Sequence, residues 1–229
     1  MLLFDIDGTL LLTGGAGSVA FERAFEELFG IKDCWGDVHP DGKTDPIIFD
    51  EIIRNNLGRK LSEDEYLRLC RRYLLYFRDE VFNTQKFRLM PGIPRLLDAL
   101  AAEKEFALGI ATGNFEEAAW LKLERGGLKD YFRFGGFGSD SHDRTAMTQT
   151  AIERGRKLLG KSFHPEDILV IGDSMHDVIA GKNLGVITIA VATGSTGREE
   201  LARHQPDFLL ETLEDTSHFL TLIRSASRV

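Results

Sequence analysis

Cysteine is almost missing from this chain: Cys34 and Cys70 are the only two among 229 residues. That is too few for a disulfide framework, and neither has the neighbours that a zinc site needs, so a reducing compartment is expected. Long apolar runs are also missing. No stretch reaches the roughly 18 consecutive apolar residues of a membrane-spanning helix. The opening Met1-Leu2-Leu3-Phe4-Asp5-Ile6-Asp7 is broken by two acids before it could serve as a secretory signal. Basic residues are outnumbered, 28 Lys and Arg against 36 Asp and Glu, for a net charge of −8. This argues against a general affinity for nucleic acid or anionic membrane. What remains, with 43% apolar and 28% charged residues, is the usual globular mixture, expected in the cytoplasm.

Short apolar runs that end in turns read as buried strands: Leu2 to Ile6, Phe106 to Ala111, Ile168 to Gly172, Val186 to Val191 and, more weakly, Phe208 to Leu210. Helical patterns lie between them at Pro91 to Glu103, Phe115 to Arg125, Arg144 to Leu159, Asp177 to Leu184 and Leu213 to Ile223, with Pro91 placed as a first-turn proline. Alternating strand and helix predicts an α/β fold, a doubly wound, Rossmann-like parallel sheet covered on both faces.

Residues 14–85 break the rhythm with three helical patterns and no strand. One carries Val19, Ala24, Phe25, Leu28 and Phe29; the next Ile47, Ile48, Ile52 and Ile53; the third opens on the capping box Ser62-Glu63-Asp64-Glu65 and continues through Leu67, Cys70, Tyr73, Leu74, Phe77 and Val81. These stripes are expected to pack together as an inserted all-helical cap. Glycine-rich Thr13 to Gly17 and residues 84–86 then serve as its two hinges. The chain divides into a core of 1–13 and 86–229 and a lid of 14–85.

Asp5 and Asp7 are the sharpest feature. A carboxylate at the end of an apolar strand costs several kcal/mol to bury unless a cation or donors compensate it. In an open parallel sheet, the crevice beyond the carboxyl ends of the strands is the usual ligand site. Gly172-Asp173 ends a second strand and, taken alone, also reads as a turn with Asp capping the next helix.

Together these segments resemble the haloacid dehalogenase-like hydrolase superfamily, in its phosphoglycolate phosphatase-like branch with a helical cap. Phe4-Asp5-Ile6-Asp7-Gly8-Thr9-Leu10 is similar to the family's first motif. Thr112-Gly113-Asn114 after a strand is similar to the second, and Gly172-Asp173-Ser174-Met175-His176-Asp177 to the fourth. The resemblance implies an Mg²⁺-dependent phosphatase acting on a small phosphorylated metabolite, a phosphoglycolate-like ester or a sugar phosphate. Asp5 is then the nucleophile, and Asp7 the general acid toward the leaving alcohol and general base toward water. Asp5, Asp173 and the Asp7 carbonyl would hold the metal, with Asp177 behind them. Thr112, Gly113 and Asn114 would receive the phosphoryl oxygens.

The family's third motif is most often a lysine, but no lysine lies between Lys129 and Lys157, and the candidate is Arg144. An arginine keeps the charge with a different geometry; the other reading is a surface arginine paired with Asp140 or Asp143. Asp41-Gly42-Lys43-Thr44-Asp45 is similar to a cap loop that closes over substrate. Lys43 either contacts an anionic leaving group or is a solvated loop lysine. His39, His142 and His176 read as loop or crevice residues, and Thr193 to Gly197 as a phosphate-binding loop or a plain turn. Two alternatives stay open: a sugar phosphomutase of the same superfamily, and a non-catalytic phosphate- or metal-binding module. Oligomeric state is not legible.

Overall fold

A computed structural model describes residues 1–40, 42–103 and 105–226. In chain order the elements are β1 (Leu2–Phe4), β2 (Leu11–Leu12), α1 (Ala16–Phe29), α2 (Asp45–Leu57), α3 (Glu63–Asn83), β3 (Arg88–Leu89), α4 (Ile93–Ala102), β4 (Leu108–Thr112) and α5 (Glu116–Arg125). Then follow β5 (Gly135–Phe137), α6 (Arg144–Leu159), β6 (Leu169–Gly172), α7 (Met175–Leu184), β7 (Ile187–Val191), α8 (Arg198–Arg203), β8 (Phe208–Leu210) and α9 (Thr216–Ala226). Six strands form one parallel sheet in the order β5-β4-β1-β6-β7-β8, as the alternating pattern predicts.

Strand alternation distributes the core. Leu2, Phe4, Ile110, Leu169 and Ile171 join α4 and α9 in one layer, whereas Leu3, Ala111 and Val170 join α6 in another. Side chains of successive strand residues point to opposite faces, so both faces of the sheet are apolar and both carry helices.

Three strands were not expected. β2 and β3 are two residues each and pair antiparallel, Leu11 with Leu89 and Leu12 with Arg88, at the two ends of residues 14–85; two residues are too short to show a period. β5 reads Gly-Gly-Phe, and two of its three residues are poor strand formers. Its glycine serves packing, because a Cβ on Gly136 would sit 2.0 Å from the Met147 carbonyl oxygen of α6. The first strand also stops at Phe4, two residues earlier than its apolar run suggests. Pro91 precedes α4, and the first-turn proline is Pro94.

The helical insertion is present as α1, α2 and α3, with the Ser62–Glu65 capping box made in both directions. Phe21 and Phe25, Ile52 and Ile53, and Leu69, Tyr73 and Phe77 form its core, which continues onto Ala118 and Leu121 of α5. Two residues of the expected stripes face solvent instead: Val19 and Leu67 are exposed, and Leu69 takes the buried place on α3.

Candidate active site

The strand order sets β4 and β6 on either side of β1, so the chain leaves three adjacent strands at one edge and delivers Asp5, Thr112 and Asp173 together. The backbone N–H of Asp5 donates to the Ile171 carbonyl at 2.9 Å, which fixes the first acid beside the strand that carries the second. Asp5, Asp173 and Asp177 are all buried, and each offers an oxygen within 4.8 Å of the others.

Arg144 is the cation among them. It is the first residue of α6, and the side chain of Asp143 caps that helix by accepting from the N–H groups of Thr145 and Ala146. Its Nη2 lies 2.9 Å from Asp5 Oδ1 and 2.6 Å from Asp177 Oδ1. Asp140 takes Arg154 instead. The other Asp177 oxygen accepts from the hydroxyl and the N–H of Ser174, 2.7 and 3.2 Å away. Asp173 Oδ1 accepts from the hydroxyl of Thr9 at 3.0 Å.

One arginine among three buried carboxylates leaves negative charge uncompensated. Burial, followed by the neighbouring Asp5 and Asp177 charges, pushes Asp173 up to about 8. Burial also pushes Asp5 up to about 7, although Arg144 pulls the other way. An all-oxygen donor set with excess negative charge fits a hard divalent cation. Space around it is kept open by backbone: a Cβ on Gly194 would fall 1.5 Å from Asp173 Oδ2, and one on Gly8 2.4 Å from it. The loop of residues 193–197 therefore braces the site, with the Thr193 hydroxyl donating to the Gly8 carbonyl at 2.6 Å.

Asp7 has a partner that sequence reasoning missed. Lys122 Nζ lies 2.5 Å from Asp7 Oδ2 and donates to Asn114 Oδ1 at 2.9 Å. The lysine side chain is 7% exposed and the Asp7 side chain 38%, so the cation is sunk behind a carboxylate that faces the cavity. The signal was there: Lys122 sits four residues after Ala118 and among Ala119, Leu121 and Leu123, all buried, where a lysine is unexpected. An ammonium only donates, so this contact turns the Asn114 oxygen toward Lys122 and leaves its amide nitrogen elsewhere. Thr112 is buried at the end of β4.

The loop before α2 reaches this edge of the sheet. The N–H of Asp45 donates to the Gly113 carbonyl at 2.7 Å, and Asp45 Oδ2 accepts from the Phe115 N–H at 2.8 Å. Burial pushes Asp45 up to about 6, against the pull of Lys122 and the Phe115 N–H. Lys43 is not turned toward the carboxylates: its Nζ pairs with Glu51 at 2.5 Å. Its carbonyl oxygen would meet a Cβ on Gly113 at 2.7 Å. Asp41 of the same loop lies outside the described residues. His176 packs against Gly42, burial lowers its pKa, and His39 and His142 are exposed. Asp5, Asp7, Lys122 and Arg144 open with Asp45 onto one cavity of about 460 Å³ between the sheet edge and the helical insertion.

Comparison with known proteins agrees with this geometry. Residues 2–191 match the family model described as haloacid dehalogenase-like hydrolase. A pyrophosphatase PpaX from Anoxybacillus flavithermus is 34% identical over 93% of this chain and 93% of its own. A phosphoglycolate phosphatase from Aquifex aeolicus is 28% identical over 94% of this chain and 93% of its own. The crystal structure of a predicted phosphoglycolate phosphatase from Haemophilus somnus shares the fold, with a TM-score of 0.73 at 19% identity over 96% of this chain and 97% of that one. Arrived at from strand ends, carboxylates and relatives alike, the chain belongs to the haloacid dehalogenase-like hydrolase family.

Proposed function

We propose that this hydrolase is an Mg²⁺-dependent phosphatase of small phosphate monoesters, working through an aspartyl phosphate on Asp5. The observation that carries the reading is the division of labour between two acids two residues apart. Asp5 is buried against Arg144, and Asp7 faces the cavity from Lys122. One is held as a nucleophile and the other left in reach of a leaving group.

In the first half-reaction an Asp5 oxygen bonds to phosphorus, the bond from phosphorus to the ester oxygen breaks, and that oxygen takes a proton from Asp7. In the second, Asp7 takes a proton from water, the water oxygen bonds to phosphorus, and the Asp5–phosphorus bond breaks to release phosphate. Thr112, Asn114 and the backbone of Gly113 receive the phosphoryl oxygens, and Arg144 holds Asp5 in line while balancing its charge. The Asp5 and Asp173 carboxylates and the Asp7 carbonyl would hold Mg²⁺, which when bound supplies the positive charge that phosphoryl oxygens need; Asp177 orients from behind. Residues 1–13 and 86–229 act as the catalytic core and 14–85 as its lid. The free cysteines Cys34 and Cys70 suit a reducing cytoplasm, and no described helix is long and apolar enough to cross a membrane.

Phosphate release from a chromogenic aryl phosphate, with Mg²⁺ or with EDTA, tests the reading, with Asp5→Asn as control. Release that needs both the metal and Asp5 is the expected result. Equal inactivity of wild type and Asp5→Asn across a broad phosphate panel would overturn it, and isomerisation of a sugar phosphate without release would mark a mutase.

A further inference from the structure

The helical side of the cavity is walled by aromatic rings. Phe21 of α1 and Phe49 of α2 have centroids 4.2 Å apart at 61°, and Phe49 and Tyr73 of α3 are 5.1 Å apart at 87°. Trp35 stands edge-on to Phe21 at 5.8 Å. All four line the same cavity as Asp5 and Asp7. Ring packing alone is what any core does, but Tyr73 adds a second kind of observation. The residue is 5% exposed and lines the cavity, and its hydroxyl, which bonds to no described residue and is not among the buried unpaired oxygens, is open to the cavity.

Charge on this wall points the same way. Of the cations that line the cavity, Lys43 is tied to Glu51, Lys122 to Asp7 and Arg144 to Asp5 and Asp177. Among the described lining residues only Arg88 lacks an acid partner, and it is exposed. Asp45 contributes a carboxylate to the wall. A second anionic group on the substrate would therefore meet a carboxylate with no buried cation free to receive it. An uncharged ring would meet ring edges and faces, with the Tyr73 hydroxyl as a polar handle.

We propose that the leaving-group subsite of this enzyme takes an uncharged, ring-bearing alcohol, so that the substrate is the phosphate monoester of an aromatic or heteroaromatic alcohol rather than of a carboxylate-bearing or second phosphate group. This rests on the phosphatase reading above and narrows it. The enzyme's own transition-state binding would then carry a contribution from Phe21, Trp35, Phe49 and Tyr73 that small aliphatic esters cannot collect.

Benzyl and ethyl phosphate have leaving alcohols of similar acidity, so that pair isolates the subsite, while phosphoglycolate and pyrophosphate add a second anionic group. Benzyl phosphate, ethyl phosphate, phosphoglycolate and pyrophosphate are assayed with the full chain and saturating Mg²⁺. The expected kcat/KM for benzyl phosphate exceeds those of the other three by about tenfold or more. In Trp35→Ala the benzyl-to-ethyl ratio falls toward one, whereas Trp35→Phe keeps most of it and guards against a folding artefact. If ethyl phosphate or phosphoglycolate equals benzyl phosphate, or if Trp35→Ala leaves the ratio unmoved, the subsite is overturned and the phosphatase reading stands. If none of the four releases phosphate while the chromogenic aryl phosphate does, the subsite falls and the phosphatase reading stands; if the broad phosphate panel is inert as well, both fall.

Discussion

Lys122 Nζ is 2.5 Å from Asp7 Oδ2, and these two residues come from opposite ends of a tertiary contact that spans 115 positions of sequence. The lysine is buried and its acid is not, so the side that meets substrate is the carboxylate. The same ammonium donates to Asn114, which ties the acid of the first motif to the amide of the second through a single cation. In the proposed mechanism Lys122 is a positioning residue: it touches Asp7, the proposed proton-transferring group, and no reacting atom.

Lys122→Met should lower kcat by between about tenfold and a hundredfold, less than the loss from Asp7→Asn, which removes the acid itself. Lys122→Arg should not restore it, because a planar fork cannot take the place of an ammonium between two oxygens set by Asp7 and Asn114. Steady-state kinetics of the three variants on one ester check the order. Activity of Lys122→Met equal to wild type would leave the lysine a purely structural one.

Arg144→Ala should cost several orders of magnitude in turnover, since Asp5 then loses its only guanidinium contact. It also leaves Asp5 and Asp177 buried without their cation, a change worth about 3 kcal/mol or more in stability. Thermal melts beside the kinetics separate the two effects. Arg144→Lys, which brings the amine usual in the family, should recover a measurable part of the rate.

Metal removal has a pH dependence with a definite sign. Asp5 is raised to about 7 and Asp173 to about 8, chiefly by burial. Between the ordinary carboxylate range and those values, the folded metal-free protein holds protons that the unfolded chain has released. Its stability therefore falls as pH rises across that window and levels off above it. Mg²⁺ binds the deprotonated carboxylates, so the gain in Tm from millimolar Mg²⁺ over EDTA should be larger near pH 8 than near pH 5.5. A gain independent of pH would contradict this linkage.

Asp45 allows the same argument away from the Asp5, Asp173 and Asp177 cluster. Its pKa is raised to about 6, burial outweighing Lys122, so its contribution to stability declines from about pH 4 to about pH 6 and is constant above. Asp45→Asn, neutral throughout and able to keep an oxygen facing the Phe115 N–H, should gain on wild type as pH rises through that interval. Paired melts near pH 4.5 and pH 7.5 check the sign; a stability difference, Asp45→Asn minus wild type, that falls as pH rises would refute it.

Much of the molecule was readable from sequence because its signals are local. Asp5, Asp7, Thr112 and Asp173 each follow an apolar run that is itself a strand, and Arg144 sits at a helix start behind a capping Asp. The stripes of α1, α2 and α3 marked a helical unit. What escaped depends on distance or on packing. β5 is a strand because it pairs with β4, its glycine allowing α6 to pack close, and β2 and β3 are strands because they find each other across more than 70 residues. Lys122 was hidden because its partner is far away in sequence, and the pairing of Lys43, a loop residue that also lines the cavity, with Glu51 is set by side-chain packing that a sequence does not display. Phe21, Phe49 and Tyr73 were legible as core but not as a wall, since a periodic stripe carries no mark of the empty space beside it.

The strand order has a consequence for how the enzyme comes into being. β1 is made first, yet its two neighbours in the sheet, β4 and β6, begin at residues 108 and 169. During synthesis Asp5 therefore gains its first neighbouring strand only after residue 108 and its second only after residue 169, when residues 14–85 are long since made. No shorter nascent chain can gather Asp5, Arg144 and Asp173, so hydrolytic activity is switched on at the end of folding and not gradually along it.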